Sequence, residues 1–223
     1  MYSQSTKRSV QTESLLASNQ VLRNTYFLLG LTIVFSALMA TLAVITHAAP
    51  MGFLSLIGMF GLLYLVHATA HSGWGVASTF LFTGFMGYTL GPMIGYYMTA
   101  LSNGPEIVAS ALGATGLIFL SLSTYVLATK KDFSFMGGFL FVGVMVAFLG
   151  GLAAMIFNMP LLHILVSGAF AVLSSALIMF HTSNIIHGGE RNYILATISI
   201  YVALYNLFVS LLHILSVFAG SRD

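Results

Sequence analysis

The chain consists mainly of long apolar runs that are separated by short polar turns. A helix needs about 20 apolar residues to cross the hydrocarbon core of a bilayer. Only 5% of the 223 residues are charged, whereas soluble domains carry about 25%. The runs are too long for strands and do not alternate, and backbone exposed to lipid must pair its own polar groups. The sequence therefore predicts an all-α, polytopic membrane protein surrounded by membrane lipid.

A length of about 20 apolar residues per span predicts seven membrane spans. The breaks between them carry turn or charge signals, such as Asn103-Gly104-Pro105 and Lys130-Lys131-Asp132. The second span is the weakest of the seven, because the loops that flank it are short. The predicted spans are 26–47, 51–70, 75–101, 105–128, 133–157, 160–181 and 192–218.

The basic residues predict the orientation in the membrane, since Lys and Arg are enriched in cytoplasmic segments. With seven spans and a cytoplasmic N-terminus, the outer segments hold only Arg222. The C-terminus is then periplasmic. The inner basic residues are Lys7, Arg8, Arg23, Lys130, Lys131 and Arg191.

The first 24 residues are rich in Ser, Gln and Thr and show no helical periodicity. Such a composition predicts a disordered cytoplasmic tail, followed by a transmembrane domain at 25–223. The residues alone leave two interpretations open: an inert leader, or a handle for a partner protein.

The third predicted span carries glycines at steps of three and four residues, which places them on one helix face. Small residues let membrane helices approach closely, so this face is predicted to pack against a neighbouring helix. Pro92 is predicted to kink the same helix, because proline removes a backbone donor. The glycines are Gly84, Gly87, Gly91 and Gly95.

Small or polar residues also follow one face of the seventh span, and the sixth span has a similar face. Polar residues inside a membrane face the interior of the bundle or a wet cavity. They either bond across helices as part of the packing or line a path for ions. We call this set the polar seam. It comprises Ser174 and His181 of the sixth span with Ser199, Ala203, Asn206, Ser210 and His213 of the seventh.

Several classes of function lack their residues. No predicted span contains a carboxylate, which calcium sites usually use. Neither an HExxH pair nor a phosphate- or dinucleotide-binding glycine loop is present. The net charge of +2 is too small to indicate a nucleic-acid partner. We therefore expect no catalysis, no metal site, no cofactor and no small-molecule substrate.

Five stretches spread over nearly the whole chain resemble the Bax inhibitor-1 family of seven-helix membrane proteins. Three of them are FTGFMGYTLGPM at 82–93, KKDFSFMGG at 130–138 and SNIIHGGERNYILAT at 183–197; the others are VLRNTYFLLGLT at 21–32 and YNLFVSLLHIL at 205–215. Within the family, the chain is most similar to a bacterial subgroup of protease modulators. The loop motif His187, Gly188, Gly189 and Glu190 is specific, because apolar composition alone would not produce it.

The resemblance implies a fold in which the seventh helix is central and the other six surround it. It implies a bacterial inner-membrane protein that binds the membrane-anchored AAA protease FtsH and restrains the degradation of membrane proteins. The tail would then be the place where the protease takes hold.

The resemblance also offers an alternative, because some family members leak calcium through a proton-gated pair of aspartates. The matching positions here are His181 and Ala203, so both carboxylates are missing. A cation leak along the polar seam would have to work without them.

Overall fold

The computed structural model describes the backbone of residues 2–220 and the side chains of residues 19–219. Within these residues the chain forms seven α-helices and one 3₁₀ turn, with no strand, so the predicted all-α class is confirmed. The helices are α1 (Tyr2–Ile45), α2 (Phe53–Thr69), α3 (Gly75–Ala100), α4 (Gly104–Thr129), α5 (Gly137–Ile156), α6 (Pro160–Ile186) and α7 (Tyr193–Gly220); the 3₁₀ turn is Ser134–Met136.

The helix ends follow the local sequence. Proline stands in the first turn of α4 and of α6, where its missing N–H would have no helical partner anyway. Lys130 ends α4 in a left-handed conformation, with φ of 51°. Each predicted span contains one helix, and α6 continues to Ile186, five residues beyond the predicted end.

Five helical segments are long and apolar enough to cross a membrane, so a polytopic membrane protein is confirmed. The helix α2 is apolar but has only 17 residues. The helix α3 is not among the five, and glycine, threonine and tyrosine interrupt its apolar residues. The five segments are Asn19–Ile45, Gly104–Thr129, Ser134–Ile156, Pro160–Ile186 and Tyr193–Ala219.

The predicted boundary between a disordered tail and the membrane domain stays a prediction. The helix α1 runs without a break from Tyr2 to Ile45. The segment 2–24 contains neither glycine nor proline, and extending a helix that is already nucleated costs little. For the part before Asn19, the side chains lie outside the described residues.

The helix α7 lies in the core of the bundle and packs against α1, α2, α3, α4 and α6. Its side chains are buried on several faces: Ile198, Ile200, Leu207 and Leu212 are at most 2% exposed. Both the large apolar residues of α7 and its small and polar residues therefore contact other helices.

The expectation that six helices surround α7 needs one correction. Among the described residues, α5 packs against α6 and the 3₁₀ turn and does not contact α7. Its buried side chains recur only every seventh residue, at Leu140, Ala147 and Ala154. Such a narrow stripe fits one closely packed neighbour, which is α6. The Phe148 ring of α5 also meets Phe60 of α2 edge-on, with centroids 6.3 Å apart. The helix α5 therefore lies at the edge of the bundle.

Candidate functional site

The α7 members of the polar seam lie inside the bundle. Ala203 and Ser210 are buried, and Ser199, Asn206 and His213 are half-buried. This placement follows from the central position of α7, which leaves none of these side chains fully exposed to lipid.

The two halves of the polar seam are not joined by hydrogen bonds. Among the described residues, no hydrogen bond links its α6 members to its α7 members. The Asn206 amide donates to the Val202 carbonyl of its own helix at 3.0 Å. The Ser174 hydroxyl is buried without a partner. His181 is half-buried, with its ring edge-on to Phe180. The seam is therefore a set of separate polar points rather than a connected polar path.

The end of the seam near the C-terminal end of α7 contains a contact that the sequence did not reveal. The His213 Nδ1 atom lies 3.1 Å from the hydroxyl of Tyr97 on α3. The His213 ring also lies beside that of His163 on α6, with centroids 5.1 Å apart. We call these three residues the histidine cluster. They come from three helices, so no spacing within one helix could have indicated the contact.

A second polar contact, also absent from the sequence interpretation, joins α1, α3 and α7. The Tyr201 hydroxyl donates to the Thr83 carbonyl at 3.2 Å and lies 2.7 Å from the Ser36 hydroxyl. Tyr201 has a single proton to give, so Ser36 donates to Tyr201. Tyr201 is only 4% exposed, and a buried tyrosine usually needs such a partner. That requirement was the available signal, since the periodicity placed Tyr201 among the apolar positions.

All four glycines of the predicted stripe face α1, and three of them lie close against it. A Cβ atom added to Gly87 would collide with the Ser36 carbonyl oxygen, one added to Gly91 with Ala43, and one added to Gly84 with the ring of Phe35. Gly95 has more room, with Val44 at 4.0 Å from such an atom. Pro92 lies inside α3 without ending it, and the kink stays a prediction.

Hydrogen bonds join the loop before α5 to the loop after α6, at the end of the bundle opposite the histidine cluster. The His187 ring bridges the Ser183 carbonyl, 2.9 Å from Nδ1, and the Lys130 carbonyl, 3.1 Å from Nε2. The Phe133 amide donates to the Ser183 hydroxyl at 2.9 Å. Lys130, Lys131 and Arg191 therefore lie at one end of the molecule.

The loop motif His187–Glu190 ends α6 and prepares the start of α7. Gly188 has φ of 76°, a left-handed conformation that suits glycine. The Gly189 and Glu190 amides both donate to the Asn184 carbonyl, at 2.8 and 3.1 Å. The Glu190 carboxylate accepts a hydrogen bond of 2.7 Å from the backbone amide of Asn192. The motif thus has a structural role in shaping the turn.

Asn192 caps α7 and also fastens it to α2. Its Oδ1 atom accepts a hydrogen bond of 2.9 Å from the Ile194 amide, which satisfies a donor that the first helical turn leaves free. Its Nδ2 atom donates to the Ala70 carbonyl at 2.8 Å. The loop that joins α2 to α3 therefore lies at the same end as the other two loops.

Comparison with known proteins gives consistent matches over nearly the whole chain. The model of a family described as "Inhibitor of apoptosis-promoting Bax1" matches residues 18–220. The "Modulator of FtsH protease YccA" of Escherichia coli K12 is 51% identical over 211 residues, which cover 94% of each chain. An uncharacterized protein of Pseudomonas aeruginosa is 48% identical over 204 residues, or 91% of each chain. An uncharacterized membrane protein of Vibrio cholerae is 43% identical over 212 residues, covering 94% of this chain and 95% of the other.

Proposed function

The chain belongs to the Bax inhibitor-1 family, and we propose that it is an inner-membrane protein that binds and modulates the FtsH protease. The observation that carries this proposal is the 51% identity, over 94% of both chains, with a protein named as a modulator of that protease. That relative is named as a modulator rather than as a protease, which supports a binding protein over an enzyme.

We further propose that modulation works by slow extraction. A protease that pulls its substrates from the membrane is occupied for as long as a substrate resists. Here the resistance lies between helices: Ser36, Tyr201 and Thr83 join α1, α7 and α3. Each such bond in a membrane is worth about 0.6–2 kcal/mol. While FtsH works on this chain, other membrane proteins escape degradation.

The N-terminal segment 1–24 is proposed as the handle that the protease takes hold of. The backbone of residues 2–24 continues directly into the membrane part of α1. Pulling on it would therefore load α1 first, and α1 packs against both α3 and α7. The close packing of α1 against α3 would resist at the start of extraction rather than at its end.

The proposed topology has seven spans with a cytoplasmic N-terminus. The bonds of Asn192 to Ala70 and of His187 to Lys130 support it, because they place three loops at one end of the bundle. The Tyr26 hydroxyl lies 3.3 Å from that of Thr182, which brings the start of the membrane part of α1 to the same end. Basic residues concentrate there, as the inner side requires.

Deletion of Tyr2–Val21 tests the handle. In membranes that contain FtsH, we expect the full chain to turn over and the truncated chain to persist, because the protease has nothing to hold. The measurement is the decay of the chain after synthesis stops. A matched control carries the same twenty residues in scrambled order, and we expect it to be degraded like the full chain, since a handle depends on length and not on sequence.

Two results would count against these proposals, and they are distinguishable. If the truncated chain turned over at the full-length rate, the handle proposal would be wrong, but the modulator proposal would be unaffected. Failure of the full chain to co-purify with FtsH from detergent extracts would remove the modulator itself. The predicted cation leak along the polar seam is supported neither by the disconnected geometry of the seam nor by the names of the relatives.

A further inference from the structure

Two histidines that lie fifty residues apart in the sequence meet in the histidine cluster. His163 lies in the first turn of α6, and His213 lies in the last third of α7. Their rings are tilted by 55°, with centroids 5.1 Å apart. The hydroxyl of Tyr97, near the end of α3, lies within hydrogen-bond distance of His213. The cluster plays no part in the proposed modulator mechanism.

The nitrogen of His213 that Tyr97 does not use is unsatisfied. Its Nε2 atom is buried and has no hydrogen-bond partner. If Nδ1 carries the ring proton, it donates to the Tyr97 hydroxyl, and Nε2 is left with a free lone pair. Metal-binding histidines commonly show this arrangement, in which one nitrogen donates to a neighbouring acceptor and the other binds the metal.

The ring separation fits two ligands of one metal ion. Two imidazoles that bind zinc tetrahedrally, each through a bond of about 2.0–2.1 Å, place their ring centroids roughly 5 Å apart. The observed separation is 5.1 Å. The rings are tilted by 55° and are therefore not stacked in parallel.

We propose that His163 and His213 bind one divalent cation of the zinc class, oriented by Tyr97. Among the described residues no group of three or more His, Cys, Asp or Glu side chains could hold a metal. The protein thus supplies two ligands, and water completes the coordination. Imidazole suits zinc, copper and nickel, whereas calcium and magnesium require oxygen ligands that the cluster lacks.

The cluster lies near the ends of its helices and includes one exposed ring. His163 is exposed and lies three residues after the start of α6, and Tyr97 lies three residues before the end of α3. A cation can therefore reach the rings without crossing the bundle. Once bound, it links α6 to α7 at the ends of the helices opposite Lys130 and Arg191, and so stabilises the folded chain by mass action.

Zinc titration of the purified full-length chain, with any affinity tag removed, tests the proposal. Calorimetry is expected to show one zinc ion per chain, and His163→Gln and His213→Gln are each expected to weaken binding at least tenfold. Tyr97→Phe is expected to weaken it by about tenfold, the lower end of the usual effect of an orienting partner. The matched control is His67→Gln, since the His67 ring bonds to the Leu63 carbonyl of its own helix.

The thermal unfolding midpoint provides a second readout. Zinc is expected to raise this midpoint in the wild type and in His67→Gln, but not in His163→Gln. His163 is exposed, so its replacement leaves the fold intact, and the midpoint without zinc verifies this. The proposal is overturned if His163→Gln binds zinc as tightly as the wild type, or if His67→Gln loses as much affinity as the cluster variants.

Discussion

The helices α3 and α5 are both rich in glycine, yet they use it differently. On α3, Gly87 and Gly91 lie directly against the backbone of α1. On α5, a Cβ atom added to Gly138 would meet nothing within 4 Å, and one added to Gly143 would meet only the flexible side chain of Leu173. Glycine content alone therefore does not identify a packing face in a membrane helix.

The partner helix explains this difference. Opposite the α3 glycines, α1 presents Ser36, Ala40 and Ala43 at steps of four and three residues. Two faces of small residues meet there, and the backbones come close enough for van der Waals packing to hold them. The face of α6 that receives α5 presents the larger Val166 and Leu173, which keep the two helices further apart.

The largest effect is expected from Gly87→Ala. The added methyl group would meet the Ser36 carbonyl oxygen, and a backbone atom cannot rotate aside. Overpacking usually costs about 1–3 kcal/mol, and we expect the upper part of that range in the free energy of unfolding. The measurement is unfolding in detergent with increasing amounts of a denaturing surfactant.

The matched control for this variant is Gly138→Ala on α5. Its methyl group has open space, so we expect no loss of stability. Equal destabilisation by the two variants would show that α1 and α3 are no more closely packed than α5 and its neighbours, and the comparison between the helices would fail.

A smaller effect is expected from Tyr201→Phe, which removes a hydroxyl but keeps the ring. The Thr83 carbonyl and the Ser36 hydroxyl then lose a partner inside the bundle. We expect a loss of about 1 kcal/mol in the free energy of unfolding, a typical value for a bond between membrane helices. Tyr64→Phe is the control, since Tyr64 is 77% exposed. An unchanged stability for Tyr201→Phe would mean that α1, α3 and α7 are held by shape alone.

The sequence predicted the helices and their order because apolar length and turn residues act locally. It also predicted the glycine face of α3, since a repeat on one helix is visible without knowledge of its partner. The Tyr201 contacts and the histidine cluster could not be predicted, because each joins three helices whose relative rotation is set by packing. The position of α5 at the edge could not be predicted either, because this helix is apolar on every face and its stripe of Leu140, Ala147 and Ala154 is defined by their burial.

The helix α5 packs closely against α6 and meets α2 through the Phe60–Phe148 ring contact. With so few neighbours, its attachment depends more on the loop that precedes it than α3 depends on its loops. In that loop the Asp132 carboxylate accepts a hydrogen bond of 2.8 Å from the Ser134 amide. This bond lowers the pKa of Asp132 below its ordinary value of 3.8. The folded chain thus favours the ionised carboxylate. Its contribution to stability is complete above the ordinary pKa and disappears as the pH falls through the lowered one.

The smallest effect is therefore expected from Asp132→Ala, and it should depend on pH. At pH 7 the variant is expected to unfold slightly more easily than the wild type, because the Ser134 amide loses its acceptor. Below the lowered pKa the carboxyl group is protonated in both the folded and the unfolded chain, so the difference from the wild type should shrink. Asp132→Asn keeps an acceptor oxygen without the charge and should lie between the two at pH 7. A difference that grows as the pH falls would contradict the sign of this linkage and would remove the loop as the anchor of α5.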